Sequence, residues 1–254
     1  MKSIWNGSLS FGLVNIPVKM YSAVEAKAVS FRLLHKKHNA PIHFKRWCDE
    51  CKKEVKWDEI VKGLEVAKDQ YYIFTKEELK SIRPERTNSI DIIKIIDSHQ
   101  LDPIYFDNHY YLGPEKKKEK PFFLFKEILQ ETAKAAVGRF VMREKEYICI
   151  VTAYRKGMLL TTLNYAYEIR DIDALEELKS GPKFRKEEQE LAKQLINKIY
   201  DKNFDIAEYK DTFAEELKKL IKKKEKGEPI EIVEAEKEET SEENLVEALK
   251  ASLR

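Results

Sequence analysis

Residues 3–23, SIWNGSLSFGLVNIPVKMYSA, carry the strictest pattern in the chain. Leu9, Phe11 and Leu13 alternate with small or polar residues, the period-two signature of a half-buried strand. Val14, Ile16, Val18 and Met20 alternate on the opposite parity, so the register must shift by one residue between the two runs. Gly12 is the natural place for a bulge or a corner where the sheet bends. Pro17 has no backbone donor and is expected at an edge or at the start of a strand.

A chain of 254 residues has room for one large β-rich domain or two ordinary ones. No run approaches eighteen apolar residues, and Asn6, Ser8, Ser10 and Asn15 interrupt what a leader peptide would keep apolar. The expectation is a soluble, cytoplasmic protein with no membrane association. Three cysteines, two of them in a C-x-x-C, suit a reducing compartment, and Cys149 in an apolar run reads as a buried small hydrophobe. Charge is uneven: residues 225–254 hold four Lys and Arg against ten Glu, leaving 43 basic against 35 acidic residues in 1–224. A basic body and an acidic tail suit a body that faces a polyanion.

The most chemically suggestive stretch is His35-Lys-Lys-His38, followed nine residues later by Cys48-Asp-Glu-Cys51. Two close pairs separated by a short excursion are what tetrahedral zinc needs, with two thiolates cancelling the ion's charge and two imidazoles completing the shell. Residues 31–61 have too few apolar side chains for a core of their own, and metal binding, worth about 10 to 16 kcal/mol in zinc-finger peptides, would supply the missing stability. His43 is an alternative ligand, and a metal-free basic hairpin is the plainer reading. Lys36, Lys37, Lys45, Arg46, Lys52 and Lys53 crowd the same arm with Phe44 and Trp47 between them, a plausible phosphate clamp. No base-reading helix accompanies them, so binding indifferent to sequence is expected.

Further along, 70–75 and 89–96 read as strands, and 77–82 as a short helix behind Thr75 as N-cap. A hairpin is expected in 103–112 around Asp107-Asn108, with Tyr105, Phe106, Tyr110 and Tyr111 in the core rather than stacked on bases. Pro121 starts a helix in which Ala135, Ala136 and Gly138 would pack closely and end it. Residues 139–154 and 158–170 then form a strand pair around Arg155-Lys156-Gly157. Arg139, Arg143, Lys145, Arg155 and Lys156 are the basic residues of this region best suited to line a nucleic-acid channel.

Leu191, Leu195 and Ile199 mark one helix, and Tyr209, Phe213, Leu217, Leu220 and Ile221 mark a second, whose apolar stripe needs a partner surface. Residues 228–243 read as an acidic linker. Thr240 and Glu243 form a capping-box pattern before Leu245, Val246, Leu249 and Leu253, a helix too short to stand alone and suited to docking in a partner's groove. No nucleotide-binding or hydrolase motif is present, so no nucleotide cofactor is expected. Asp171 and Asp173 read as an acidic turn before they read as a nuclease pair.

Several of these residues together resemble prokaryotic Ku, the DNA-end-binding family of bacterial non-homologous end joining. The likeness lies in IWNGSLSFGLVNIPVKMYSA, DEIVKGLE (58–65), LDPIYFDNHYYLGPE (101–115), Gly138-Arg139-Phe140-Val141 and EEQELAKQLINKIYDKNFDIAEYKDTFAEELKKLI (187–221). The resemblance implies an α+β fold: a β-barrel core over 1–180 with a zinc-ribbon-like bridge arm at 31–61, a helical arm at 181–226, and an acidic linker with a docking helix at 227–254. It implies a non-enzymatic homodimer that closes a ring on double-stranded DNA ends, holds one structural zinc per chain, and recruits an ATP-dependent DNA ligase through its tail. The family often has Cys where this chain has His38, and many members continue into a lysine-rich tail that does not follow Arg254 here. A metal-dependent nuclease and an RNA-binding β-barrel are the competing readings.

Overall fold

The alternation at the start of the chain becomes a hairpin in the computed structural model, which describes residues 1–25, 29–82, 88–143, 145–228 and 245–253. Strands β1 (Trp5–Phe11) and β2 (Val14–Ser22) pair antiparallel, with Leu9 opposite Ile16 and Gly7 opposite Val18. Gly12, at φ 59°, and Leu13 form the two-residue turn between them. The parity switch is thus a hairpin reversal, not the expected bulge or corner. A two-residue turn sets odd residues of one strand against even residues of the next, and its first central position takes the positive φ that glycine tolerates. Pro17 stands where the ladder on the far side of β2 ends, since that pairing begins at Val18.

An arm follows. It holds two short antiparallel pairs, β3 (Trp47–Cys48) with β4 (Lys53–Glu54) and β5 (Lys62–Ala67) with β6 (Gln70–Phe74), and helix α1 (Lys76–Ser81). The β5 strand was not anticipated, although Leu64 and Val66 alternate with Glu65; all six of its residues are exposed. At α1 the Thr75 hydroxyl accepts from the Glu78 N–H (3.1 Å) while the Glu78 carboxylate accepts from the Thr75 N–H (2.8 Å). That reciprocal cap holds the Glu78 carboxyl below its ordinary pKa, chiefly through the Thr75 backbone donor.

Chain return from the arm starts β7 (Ser89–Asp97), followed by β8 (Phe106–Pro114), helix α2 (Glu119–Glu131), β9 (Lys134–Met142), β10 (Lys145–Tyr154) and β11 (Gly157–Leu163). The seven long strands close a barrel in the order β1-β2-β8-β11-β10-β9-β7, every pair antiparallel except β1 with β7. Strands β1, β7, β8 and β10 therefore run one way and β2, β9 and β11 the other. This fixes two rims. The arm leaves after Ser22 and returns at Ser89, both on the rim where β9 and β11 end. The β1–β2 and β10–β11 turns lie on the opposite rim.

Leu9, Val18, Met20, Ile90, Phe140, Val151 and Leu160 fill the barrel, and α2 adds Phe122 and Leu129. The Phe125 ring lies 6.1 Å from that of Phe11 beside the β1–β2 turn, so α2 covers the rim opposite the arm. Burying Phe122 completely is worth about 1.5 to 3 kcal/mol.

Three expectations are corrected here. The Asp107-Asn108 pair is not a turn: both lie in the single strand β8, where the β8–β11 register shifts and Thr162 binds them. The helix from α2 ends at Glu131, and Ala135, Ala136 and Gly138 are buried in β9. Their small size serves strand contact, since a Cβ on Gly138 would lie 3.0 Å from the Asp91 carbonyl oxygen of β7. Residues 139–154 belong to two strands that turn at Arg143, φ 51°, and the strand expected to reach 170 stops at Leu163.

By contacts the chain divides into two compact units, Met1–Lys27 with Phe31–Arg170, and Ala28–Ser30 with Asp171–Arg254. The second contains helices α3 (Lys186–Ile199), α4 (Thr212–Lys226) and α5 (Leu245–Leu253). Asp211 caps α4 by accepting from the Ala214 N–H (3.0 Å), and Gly227 closes it in the left-handed conformation. Asp171 likewise caps a single 3-10 turn by accepting from Asp173 N–H, so the two acids serve local structure. Tyr209 falls before α4, and the Thr240/Glu243 pattern lies outside the described residues. No described helix is long and apolar enough to cross a membrane.

Candidate nucleic-acid interface

Both ligand pairs sit on tight turns of the arm. Around the histidines, Leu34 bridges Pro41, the His35 N–H donates to the Ala40 carbonyl (2.8 Å) and Asn39 turns at φ 54°. The rings of His35 and His38 stack with centroids 5.1 Å apart, and His35 Nδ1 accepts from the Lys37 N–H. Around the cysteines, the β3–β4 pair closes a turn in which Lys52 takes φ 49°. Hydrogen bonding from the Cys51 backbone lowers the Cys48 thiol pKa, whereas the Cys48 contact raises that of Cys51. The donor types suit zinc, but among the described residues no three His, Cys, Asp or Glu side chains are gathered as a metal shell. The two pairs lie on two separate turns of the arm.

The arm's six cations are not equivalent. Arg46 is a strut: its Nε donates to the Val55 carbonyl (3.0 Å) and its guanidinium lies 5.0 Å from the Trp57 ring centroid. Glu54 draws in Lys45 at 3.5 Å and Arg46 at 3.9 Å. Among the described residues no carboxylate is ion-paired with Lys36, Lys37, Lys52 or Lys53, and all four are exposed. Those four are the cations open to a phosphate backbone.

On the barrel the expected residues separate. Arg139 is exposed on β9, opposite Asp91 of β7, and Arg143 is the turn at the end of that strand. Both stand toward the rim from which the arm departs, as does Lys145, whose Nζ lies 5.3 Å from the Tyr147 ring. Arg155 and Lys156 occupy the β10–β11 turn, the full ten-residue length of β10 away, roughly 30 Å at ordinary strand rise. Arg155 rests over Tyr154 at 5.4 Å, and Tyr154 stacks on Tyr111 at 5.9 Å. The aromatic shelves beneath Lys145 and Arg155 were missed in the sequence. The signal was there in Lys145-Glu146-Tyr147, since residues two apart share a strand face.

The expected docking residues Leu245, Val246, Leu249 and Leu253 all lie on α5, and each is half-buried.

Comparison with known proteins decides the family. The profile described as the Ku70/Ku80 beta-barrel domain matches residues 10–193. The chain belongs to the Ku family. Its closed seven-stranded barrel is thus a Ku barrel. This Ku chain is 39% identical over 253 residues to the Non-homologous end joining protein Ku of Archaeoglobus fulgidus, covering 100% of this chain and 98% of that one. The protein of the same name in Heliobacterium modesticaldum is 38% identical, with 100% and 91% covered. The Bacillus subtilis one is 33% identical, with 88% and 72% covered.

Proposed function

We propose that this chain binds the ends of double-stranded DNA without regard to sequence, as a ring-shaped homodimer in double-strand break repair by non-homologous end joining. The observation that carries this reading is the arm with its four exposed lysines, Lys36, Lys37, Lys52 and Lys53, which leaves the barrel at the same rim as Arg139, Arg143 and Lys145. Phosphate contacts from cations such as these give affinity without base readout. Self-association is supported by apolar surface left exposed among the described residues. Leu64, Val66, Tyr72 and Ile73 of the β5–β6 pair are more than half exposed, and an isolated two-stranded hairpin is marginal alone. Phe213 and Ile221 of α4 are exposed as well. A ring has to be threaded at a terminus, so linear duplex should bind and covalently closed circular duplex of the same sequence should not. Equal affinity for the two in a gel-shift comparison would reject the ring.

Zinc belongs to the same proposal. His35, His38, Cys48 and Cys51 would take up one ion per chain by drawing the two turns together, a purely structural role. Metal analysis of protein prepared without chelator should find about one zinc; none would remove it. Leu245, Val246, Leu249 and Leu253 are proposed to dock an ATP-dependent DNA ligase, and deleting 245–254 should leave DNA binding intact while ligase stimulation is lost.

A further inference from the structure

A nine-residue helix should not persist alone in water, because nucleation costs more than so few turns return. Yet α5 is helical, and the reason is visible in its contacts: it lies on α3. Leu245 and Leu249 line an apolar groove with Phe184, Ala192 and Ile196. At one end Lys250 Nζ meets Glu187 Oε1 at 2.7 Å. Lys198 Nζ donates to the carbonyls of Ser252 (3.1 Å) and Leu253 (3.0 Å), which as the last of a helix have no intrahelical partner. Apolar seat, ion pair and C-terminal cap all engage the one segment.

We propose that α3 is the resting seat of the C-terminal helix, so that the chain covers its own docking face and a partner must displace α5 from α3 before it can bind. The displacement step rests on the reading that Leu245, Val246, Leu249 and Leu253 dock a partner; the seat itself does not. Of those four, Leu245 and Leu249 are the two turned into the α3 groove, so resting and docked states compete for the same side chains. A partner's apparent affinity is then reduced by the fraction of chains in which α5 is released.

Hydrogen–deuterium exchange on the full chain tests the seat. Amides of 245–253 should exchange at least tenfold more slowly than in a synthetic 240–254 peptide, equally so after tenfold dilution. Ala192→Glu keeps a good helix former on α3 but puts charge in the groove, and should return the segment to the peptide's rate. Glu187→Lys should speed exchange severalfold, and Lys250→Glu added to it should restore protection. Peptide-like rates in the unsubstituted chain would overturn the proposal, as would protection that fades on dilution, which would place α5 on a second copy. Protection indifferent to Ala192→Glu would overturn it too. For the displacement step, stimulation of the end-joining ligase should rise severalfold in Ala192→Glu. Stimulation unchanged by deleting 245–254 would remove the docking reading and the displacement with it, while exchange alone judges the seat.

Discussion

Asn108 donates its backbone N–H to the Thr162 hydroxyl at 3.0 Å, and the same hydroxyl donates to Asp107 Oδ2 at 3.2 Å. Thr162 is fully buried, and the contact sits where the β8–β11 register shifts between Thr161 and Leu163. A side chain here replaces the ladder bond that the irregularity interrupts. Thr162→Val keeps the shape and deletes the hydroxyl, leaving the Asn108 N–H without its partner. Unfolding free energy from urea titration should fall by about 1 to 3 kcal/mol, while Thr162→Ser, which keeps the hydroxyl, should lose only the smaller cost of one buried methyl, about 1 kcal/mol. Equal stability of the valine variant would show that the hydroxyl is dispensable.

Gly7 offers a second test. A Cβ there would lie 2.2 Å from the Asn88 carbonyl oxygen and 2.3 Å from a Trp5 ring atom, so β1 or the start of β7 would have to move. Gly7→Ala should lower stability by about 1 to 3 kcal/mol despite alanine's better strand entropy, the usual cost of overpacking. An unchanged melting temperature would mean that the β1–β7 seam is looser than described.

DNA binding should distinguish the two rims. Arg139→Glu with Arg143→Glu should weaken linear duplex of any sequence and reduce the slope of log K against log salt by about 0.9 for each phosphate no longer neutralised. Arg155→Glu with Lys156→Glu, on the rim covered by α2, should do less. Fluorescence anisotropy over a salt series measures both, and equal effects would deny the arm-bearing rim its priority.

Cysteine chemistry should divide the same way. Burial pushes the Cys149 thiol up to about 12, while Cys51 is exposed and Cys48 half-exposed. Only Cys48 and Cys51 should react with iodoacetamide in metal-free native protein near pH 8, and Cys149 only after unfolding. Because the folded state resists ionising this thiol, its contribution to stability is intact below the free-thiol value near 8.5 and is lost as pH climbs from there toward about 12. Rapid native labelling of Cys149 would contradict its place in the barrel.

The two opening strands, the Thr75 cap and α3 to α5 were legible because each rests on local chemistry: alternation, a capping pair, helical spacing; that the first two strands meet in a hairpin at Gly12 was not. What misled was composition whose meaning depends on a distant neighbour. Asp107-Asn108 has turn chemistry, but Thr162, far along the chain, makes it a strand. Ala135, Ala136 and Gly138 have helix-end chemistry, but the nearness of β7 makes them β9. Around the candidate site residues, nothing in the sequence says that Arg143 turns the chain between two strands, or that Glu54 holds Lys45 and Arg46. The occupation of Leu245 and Leu249 by α3 was equally invisible, since only the fold brings the last residues back to 184–196.

The parallel seam between β1 and β7 has a consequence for the order of events as the chain emerges. The first strand cannot find its closing neighbour until the whole arm has been made, and β2 must wait still longer for β8. Until then the opening hairpin has an open edge on each side, the condition in which strands recruit strangers. Closure of the barrel is therefore a late step of high sequence separation, expected to be slow and to leave newborn chains prone to aggregate. The arm, rooted at both ends on one rim, stands outside the register of that closure.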